Sequence, residues 1–467
     1  MIPVSKNEKY EIEIDGMSSD GNGVGHIRGF AVFVPNTCRG DVVNVRITKV
    51  KSGFACGAVT EIVRPSEDRI APMCDSAHKC GGCAFAHMDY DAQLDEKRGI
   101  VESAMTRIGG FKDFKLEEII GMSNPYRYRN KVVFQLGVNE KNQPIYGFFA
   151  PKSHKIIPVS DCLLCGEIYG RIADAVIDYA KECGVSVYDG ARRAGVLKRI
   201  FIRGSKNGEI MVVLSANARS LKRADELVRK LKAVSGKVVS VMLNINLDAK
   251  NYGLGAENIV LYGKEKITDT LSDLKFLISP QSFYQVNPTQ TEKLYETALR
   301  FAGINGGDTV MDIYCGIGTI SLCAAKRAGK VIGIEIVERA IADARENARI
   351  NEIENAEFYA GAAAEIVPKL IADGARPSVV ILDPPRSGSD KKTLLAVISA
   401  TPDRIVYVSC NPSTLARDAK FLAENGYKIS AAQAVDMFPH TCHVETVCLL
   451  SKLHAKEHIE VELNMNA

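Results

Sequence analysis

The sequence predicts a multidomain α/β protein with a C-terminal Rossmann-like domain, a central α+β domain and a small N-terminal β-barrel. Three observations carry this. At 467 residues, 46% of them hydrophobic, the chain exceeds one ordinary domain and can bury a sizeable core. Its first 64 residues alternate apolar and polar positions, the period of half-buried strands. Its last third alternates strand and helix, which implies a mostly parallel doubly wound sheet.

In chain order, "KYEIEIDGM", "GFAVFVPN" and "DVVNVRITKVKSGFACGAVTEIV" read as about five short strands, broken by the Gly-rich turn "DGNGVGHIRG" and by Pro35. A barrel of that size is either of the oligonucleotide-binding type or a cap on another domain. Residues 65–72 read as a linker, and a cysteine cluster follows. "YDAQLDEKRGIVESAMTRIGG" has helical spacing and stops at Gly109-Gly110. From 132 to about 280, strands ("KVVFQLGV", "RIFIRG", "EIMVVLS", "VVSVMLNIN") mix with helices over 168–183 and 221–234. A helix at about 289–302 opens the alternation "DTVMDIYC", "KVIGIEI", "AEFYAG", "SVVILDPP", "RIVYVSC", each followed by a helix. "YKISAAQAVDM" and "HVETVCLLSK" then suggest an antiparallel edge, and the tail "HAKEHIEVELNMNA" is expected to be loosely held.

Charge is nearly balanced, 59 basic against 56 acidic residues, so net charge alone argues for no class of partner. Its distribution is uneven. Residues 190–240 hold thirteen Lys and Arg against Glu209, Asp225 and Glu226, which is either a basic field for an anionic partner or a solvated surface. Thirteen cysteines occur in a chain whose start, "MIPVSKNEKYEIEI", has no apolar signal core and which has no apolar run of membrane-spanning length. A reduced, cytoplasmic protein without membrane attachment is expected, and its clustered cysteines are then metal ligands or reactive thiols.

The chemistry concentrates in the last third. "DIYCGIGTISL" places Gly316 and Gly318 after an apolar strand and at a helix start, and Glu335 ends the next strand, where an acid can accept from ribose hydroxyls. NAD would prefer a third glycine where Ser321 stands; S-adenosylmethionine, with no pyrophosphate to cradle, needs less. In "ILDPPRSG", Asp383 ends a strand at the edge where open α/β sheets bind ligands, and serves a cofactor, a base edge or a loop cap. Similar Asp-Pro-Pro loops occur in enzymes that methylate amino nitrogens. "VSCNPSTLARD" brings Cys410 to the same edge before a helix start that favours its anion, against the alternative of an inert buried thiol. "DMFPHTCHVETVCLL" embeds Glu445 before an apolar strand, where an acid must be paired, exposed or used as a base. His440, Cys442 and His443 are too close along an extended segment to form a persuasive metal site.

A methyl donor, a nucleophilic thiol and a base suggest methylation of a pyrimidine carbon, because methylating an amino nitrogen needs no covalent cysteine. A separate cluster, Cys74-x5-Cys80-x2-Cys83 with Cys162 and Cys165 in "DCLLC", satisfies an iron-sulfur cluster or a tetrahedral zinc, with zinc the default from spacing alone.

"DIYCGIGT", "LDPPRSG", "YVSCNPSTLARD", "FPHTCHVE" and "SPQSFYQVNPTQTEKLY" closely resemble the RNA uracil-5-methyltransferases, over nearly the whole chain. With the Cys74/Cys80/Cys83 cluster and the barrel, the chain looks like the iron-sulfur, TRAM-domain branch that methylates 23S ribosomal RNA. The resemblance implies a class I methyltransferase domain over 281–467, a TRAM barrel of oligonucleotide-binding type over 1–64, a cluster-bearing central domain over 65–92 and 126–280, and a helix at 93–125 packing with the catalytic domain. It implies Cys410 as nucleophile and Glu445 as base. Gln285, Tyr314, Gly316, Gly318, Glu335 and Asp383 would bind S-adenosylmethionine, and Phe283 would stand near the extruded uracil or in the core. A [4Fe-4S] cluster on Cys74, Cys80, Cys83 and Cys162 replaces the zinc default, with Cys165 a competing fourth ligand. The partner implied is 23S ribosomal RNA, bound by a monomer.

Overall fold

Residues 2–190, 192–248 and 250–453 are described by a computed structural model, and the tail expected to be loosely held lies outside the described residues. The chain divides into two units, each discontinuous in sequence. One takes the residues up to Ile100, Ser123–Ile267 and Phe438–Cys442; the other takes Val101–Met122, Thr268–Met437 and the residues from His443.

In the first unit, β1 (Lys9–Met17), β2 (Asn22–Ile27), β3 (Phe30–Pro35), β4 (Val42–Val50) and β5 (Ala55–Arg64) close into a barrel in the order β1-β2-β3-β5-β4. The alternating residues Ile12, Ile14, Val32, Val34, Val43, Val45 and Ile47 fill it. A register shift between Ile14 and Gly16 bends β1, as closure requires. At its rim the fully buried Asp41 accepts the Cys38 and Ser66 amides and pairs with Arg69. Burial alone would raise this carboxyl, but the Arg69 guanidinium and the two amides hold it below its ordinary range.

After the barrel come α1 (Ala77–Cys80), α2 (Tyr90–Arg107) and β6 (Leu116–Ile120), of which β6 belongs to the second unit. The rest of the first unit is a seven-stranded sheet made of β7 (Lys131–Val138), β8 (Pro144–Phe149), β9 (Ile156–Pro158), β10 (Leu197–Gly204), β11 (Ile210–Ala216), β12 (Val238–Ile245) and β13 (Glu257–Gly263), with α3 (Ile168–Cys183) and α4 (Ala224–Val234) between strands. Its order is β13-β12-β11-β10-β7-β8-β9. Helix α4 starts later than the expected 221 because Arg223 adopts a left-handed φ of 54°. The basic field expected over 190–240 is only partly a surface. Lys198, Arg199 and Arg203 are buried in β10, and Lys198 spends its ammonium on the carbonyls of Asn246 and Asp248. On α4, Arg229 and Lys230 are paired with Glu226 and Glu182.

The second unit begins its main run with a hairpin, β14 (Ile267–Leu271) and β15 (Leu274–Ile278), followed by α5 (Pro288–Ala302). Then β16 (Thr309–Ile313), α6 (Thr319–Ala325), β17 (Lys330–Glu335), α7 (Glu338–Ile350), β18 (Ala356–Ala360), α8 (Ala363–Ala372), β19 (Val379–Leu382), α9 (Lys391–Ser399), β20 (Arg404–Ser409) and α10 (Pro412–Ala423) alternate as expected. β21 (Tyr427–Val435) and β22 (Glu445–Lys452) complete an eight-stranded sheet of order β18-β17-β16-β19-β20-β22-β21-β6. The last-formed strand, β22, inserts between β20 and β21, antiparallel to both. The two final strands do pair antiparallel on this side of the sheet, but the outermost strand is β6, whose "LEEII" pairs parallel with β21. Apolar residues of the central strands and of α8, α9 and α10 pack as one core around Met311, Ile332, Val380, Ile405, Leu415 and Leu450.

Asp41→Ala should lower barrel stability by about 3 kcal/mol or more, because it leaves two amides without their acceptor and Arg69 without its carboxylate partner. Arg64→Ala, which removes only an exposed pair with Glu13 at 4.0 Å, should change thermal unfolding by less than about 0.5 kcal/mol. Equal effects of the two substitutions would contradict this account of the rim.

Candidate active site

Four parallel strands deliver their C-terminal ends to one edge of the eight-stranded sheet. Tyr314 follows β16, Glu335 ends β17, Asp383 follows β19 and Cys410 follows β20. β22 runs the other way, so its first residue, Glu445, comes to the same edge, one register step from the Ser409–Thr446 pair. The direction of β22 therefore turns five separated sequence positions into one site.

The turn after β16 is built for a ligand close to backbone. Tyr314, Gly316 and Gly318 all have positive φ, and a Cβ on Gly316 would meet nothing within 4 Å, so the space beside it is open. At Gly318, a Cβ would crowd Phe358 and Ala344 at 3.2 to 3.3 Å. Glu335 is held against this turn, accepting from the Gly316 amide at 3.3 Å and the Val337 amide at 2.9 Å. Ser321, where a dinucleotide site would have its third glycine, donates its hydroxyl to one carboxylate oxygen of the fully buried Asp312. Burial pushes that carboxyl up to about 6.

One corner of this edge gathers Cys410, Glu445 and Asp383. Glu445 is 3% exposed. Burial, reinforced by the Asp383 charge and opposed by Arg386, pushes its carboxyl up to about 8. Asp383 is pushed up to about 7 by burial and by Asp312. Burial, together with the Glu445 and Asp383 charges, raises the Cys410 thiol to about 11, while Arg386 works against them. Arg386 is thus the cation that opposes a concentration of acids. It was legible in "DPPRSG" as a charge three residues past Asp383 on the ligand edge, yet the sequence reading assigned it no role.

Hydrogen bonds fix these loops. Asn411 caps α10 by accepting the Ser413 amide, and its side-chain NH2 donates to the Arg386 carbonyl at 3.1 Å, tying the Cys410 strand end to the Arg386 loop. Farther along that loop the Ser389 amide donates to Asp418 at 2.8 Å, where Tyr407 also donates. The Ser389 hydroxyl lies 3.0 Å from that of Tyr314. The segment carrying Gln285 is held by Ser282 donating to Asp343 and by Asn287, which caps α5 and donates to the Met437 carbonyl. Gln285 itself is buried, whereas Phe283 is 70% exposed, so Phe283 is not a core residue.

In the first unit, Cys74, Cys80, Cys83 and Cys162 line one small apolar hollow together with Tyr126 and His440. Gly81, left-handed at φ 66°, ends the single turn α1 where a Cβ would strike Pro151. Cys165 lies behind, and its thiol donates to Cys162; that hydrogen bond holds the Cys162 thiol down at about 6. Burial and the neighbouring Cys162 and Cys80 push Cys83 up to about 12. Arg127 donates to the Cys162 and Cys165 carbonyls at 3.1 and 2.9 Å. No three His, Cys, Asp or Glu among the described residues converge closely enough to hold a single metal ion. The histidine pair separates: His440 stacks on Tyr126 with ring centroids 4.6 Å apart, while His443 lies 3.4 Å from Arg386.

Residues 89–453 match the family described as tRNA (uracil-5-)-methyltransferase, and residues 3–60 match the TRAM domain. An uncharacterized RNA methyltransferase of Clostridium tetani is 45% identical, covering 96% of this chain and 98% of its own length. Another, of Caldanaerobacter subterraneus, is 42% identical over 97% of this chain and 100% of its own. Among solved structures, the Pyrococcus abyssi tRNA (uracil-54, C5)-methyltransferase in complex with S-adenosyl-L-homocysteine superposes with a TM-score of 0.76 at 29% identity, covering 94% of this chain and 99% of its own.

The buried carboxyl has a consequence for stability. With Glu445 at about 8 in the fold and 4.5 as the ordinary value, folding takes up a proton across that interval. The native state binds more protons than the unfolded chain there, so stability falls as pH rises from about 4.5 to about 8, by roughly 3 kcal/mol at pH 7. Glu445→Gln should therefore unfold at a higher temperature than the parent at pH 8, with the gap closing towards pH 5. A pH-independent gap in thermal melts would show that Glu445 is ionised in the fold.

Proposed function

The chain belongs to the tRNA (uracil-5-)-methyltransferase family and is an S-adenosylmethionine-dependent RNA uracil-5-methyltransferase, and on that premise we propose that it methylates carbon 5 of a uridine in 23S ribosomal RNA, with Cys410 as nucleophile and Glu445 as base. The observation that supports this most is the corner in which a buried carboxyl at about 8 and a thiol stand together at the ligand edge, with Arg386 opposing the upward shift of both. Uracil carbon 5 is a poor nucleophile. Addition of the Cys410 thiolate to carbon 6 converts the ring to an enolate with electron density at carbon 5. S-adenosylmethionine, when bound, supplies an electrophilic sulfonium methyl and leaves as the neutral thioether. Glu445 then takes the carbon 5 proton, and expulsion of the Cys410 thiolate restores the ring. The net change is one C–H replaced by one C–CH3, with one proton released from Glu445 to solvent.

The residues fit the cofactor. Gln285, Tyr314, Gly316, Gly318, Glu335 and Asp383 would hold it: the open face of Gly316 admits it, and the Glu335 carboxylate suits ribose hydroxyls. Ile336, 69% exposed beside Glu335, offers an apolar side chain to the adenine face. Phe283 would stand near the extruded uracil. The reading also takes Cys74, Cys80, Cys83 and Cys162 as holding a [4Fe-4S] cluster. What supports this reading is that the four cysteines line one hollow, which gives the four thiolates such a cluster needs. Cys165, bonded to Cys162 from behind, supports that ligand rather than replacing it. The cluster would brace an RNA-binding surface, because methyl transfer moves no electron. The protein would work as a cytoplasmic monomer. The Pyrococcus abyssi structure favours a second reading, with transfer RNA as substrate. Mapping 5-methyluridine by mass spectrometry in ribosomal and transfer RNA, from cells with and without the protein, decides between them.

With S-adenosylmethionine and RNA carrying 5-fluorouridine, from which no carbon 5 proton can be removed, a covalent protein–RNA adduct should survive denaturing gels. Its absence, or an undiminished adduct with Cys410→Ser, would remove Cys410 from the mechanism. Glu445→Gln should accumulate adduct on ordinary RNA. Since both reacting groups are raised, at about 8 and about 11, kcat/KM should climb with pH above neutrality. Arg386→Gln should move that limb to higher pH and slow turnover at pH 7 by about tenfold or more; a flat profile would contradict the assignment. Iron and sulfide in equal amounts, with the brown colour of such proteins, should accompany anaerobically purified protein, and zinc in their place would refute the cluster.

A further inference from the structure

The first unit holds a concavity of about 970 Å3 that the proposed chemistry does not use. It lies over β7, β8 and β9, and the loop after β12 reaches it through Tyr252. One wall is a set of aromatic rings. His154 stacks on Tyr252 with centroids 5.3 Å apart and planes 16° from parallel, and the Tyr252 hydroxyl lies 2.9 Å from His154 Nε2. Phe149 meets both rings edge-on, at 5.3 and 6.1 Å. Such a cluster would ordinarily be core, but Tyr252 is 50% exposed and His154 is exposed.

Cations hold these rings from beneath. The Arg199 guanidinium lies 4.7 Å from the Tyr252 centroid, and Lys198 Nζ lies 4.8 Å from that of Tyr188 across the cavity. Neither cation is free to wander. Arg199 donates to Gln135 and to the Asn251 carbonyl, and Lys198 donates to the carbonyls of Asn246 and Asp248, so both anchor the loop that presents Tyr252. Lys141 and Lys155 stand exposed at the rim. Of the two carboxylates in the lining, Asp189 is partly offset by Arg192 at 3.5 Å. Rings fixed in orientation, supported by buried cations and rimmed by lysines, match a flat heteroaromatic group that carries an anion. An acidic peptide would use the lysines and leave the exposed rings without a role.

We propose that this concavity is a stacking site for an unpaired nucleotide of the substrate RNA, separate from the uridine that reaches Cys410. The proposal rests on the RNA-methylating reading. Because the rings are held before RNA arrives, stacking costs little side-chain ordering, and the site would select RNA whose strand is open at a second point.

The test uses the full-length protein and a 20-nucleotide single-stranded RNA of mixed sequence containing 4-thiouridine. Irradiation followed by peptide mapping should place photoadducts on the segment around His154 or Tyr252, and an excess of adenosine monophosphate should leave them. Tyr252→Ala should weaken binding of this RNA about tenfold, the loss of one stacked base, while Tyr252→Phe stays within about twofold. His154→Ala gives an independent variant should Tyr252→Ala fold poorly. Photoadducts confined to other segments, unchanged affinity in both alanine variants, or displacement by the mononucleotide would overturn the proposal. The 5-fluorouridine adduct at Cys410 reports separately on the methylation reading, since Tyr252→Ala should retain it at saturating RNA.

Discussion

Because β22 pairs antiparallel with β20, its first residue lies where β20 ends, and a carboxylate meets a thiol 35 positions earlier in the chain. Were β22 parallel, Glu445 would sit at the opposite edge, beyond reach of Cys410. The same insertion makes β21 an interior strand and leaves β6 to close the sheet. The remaining structure of this unit serves that meeting. Parallel strands β16, β17 and β19 bring Tyr314, Glu335 and Asp383 to the shared edge, and N-caps at Asn287 and Asn411 start α5 and α10 where the preceding loops end.

The corner is electrostatically unfavourable by construction. Asp312, Asp383 and Glu445 are acids whose carboxyls are all raised by burial, and Asp312 and Asp383 raise their neighbours further. A carboxyl kept near neutral pH is poised to exchange a proton, which a surface glutamate at its ordinary value does poorly. What keeps such loops from relaxing away is the satisfied network behind them. Asp418 accepts from Ser389 and Tyr407 and pairs with Arg417, so the segment bearing Arg386 is held from its far side.

Much of this was legible in the residues. Strong periodicity announced the barrel and the alternating strands and helices from β16 to α10, because burial on one face or both imposes its own period. The ends of those strands could be read as a ligand edge. Weakly patterned pieces escaped. β6, with two adjacent glutamates, and β9, three residues ending in proline, owe their pairing to neighbours rather than to any pattern of their own. Arg386 escaped for a different reason: a lone arginine in a loop is ordinary, and its meaning comes from acids that only the folded sheet brings near. Lys198 and Arg199 misled in the opposite sense. Charge density along a sequence looks like surface, yet β10 hides these heads against carbonyls and aromatic faces.

The edge strand β6 also sets a schedule for biosynthesis. Leu116 pairs with Ala432, so it leaves the ribosome 316 positions before its partner. At about 5–20 residues per second that is a wait of roughly 15–60 s. Throughout it, the backbone of β6 lacks the strand it pairs with, although α5 reaches it earlier through Gln290 and Arg300. The barrel carries no such delay, since all its strands are complete by Arg64. Nascent chains of this protein should thus present a finished N-terminal barrel while the eight-stranded sheet still lacks β21 and β22, and chaperone demand should fall on the interval before Tyr427 emerges.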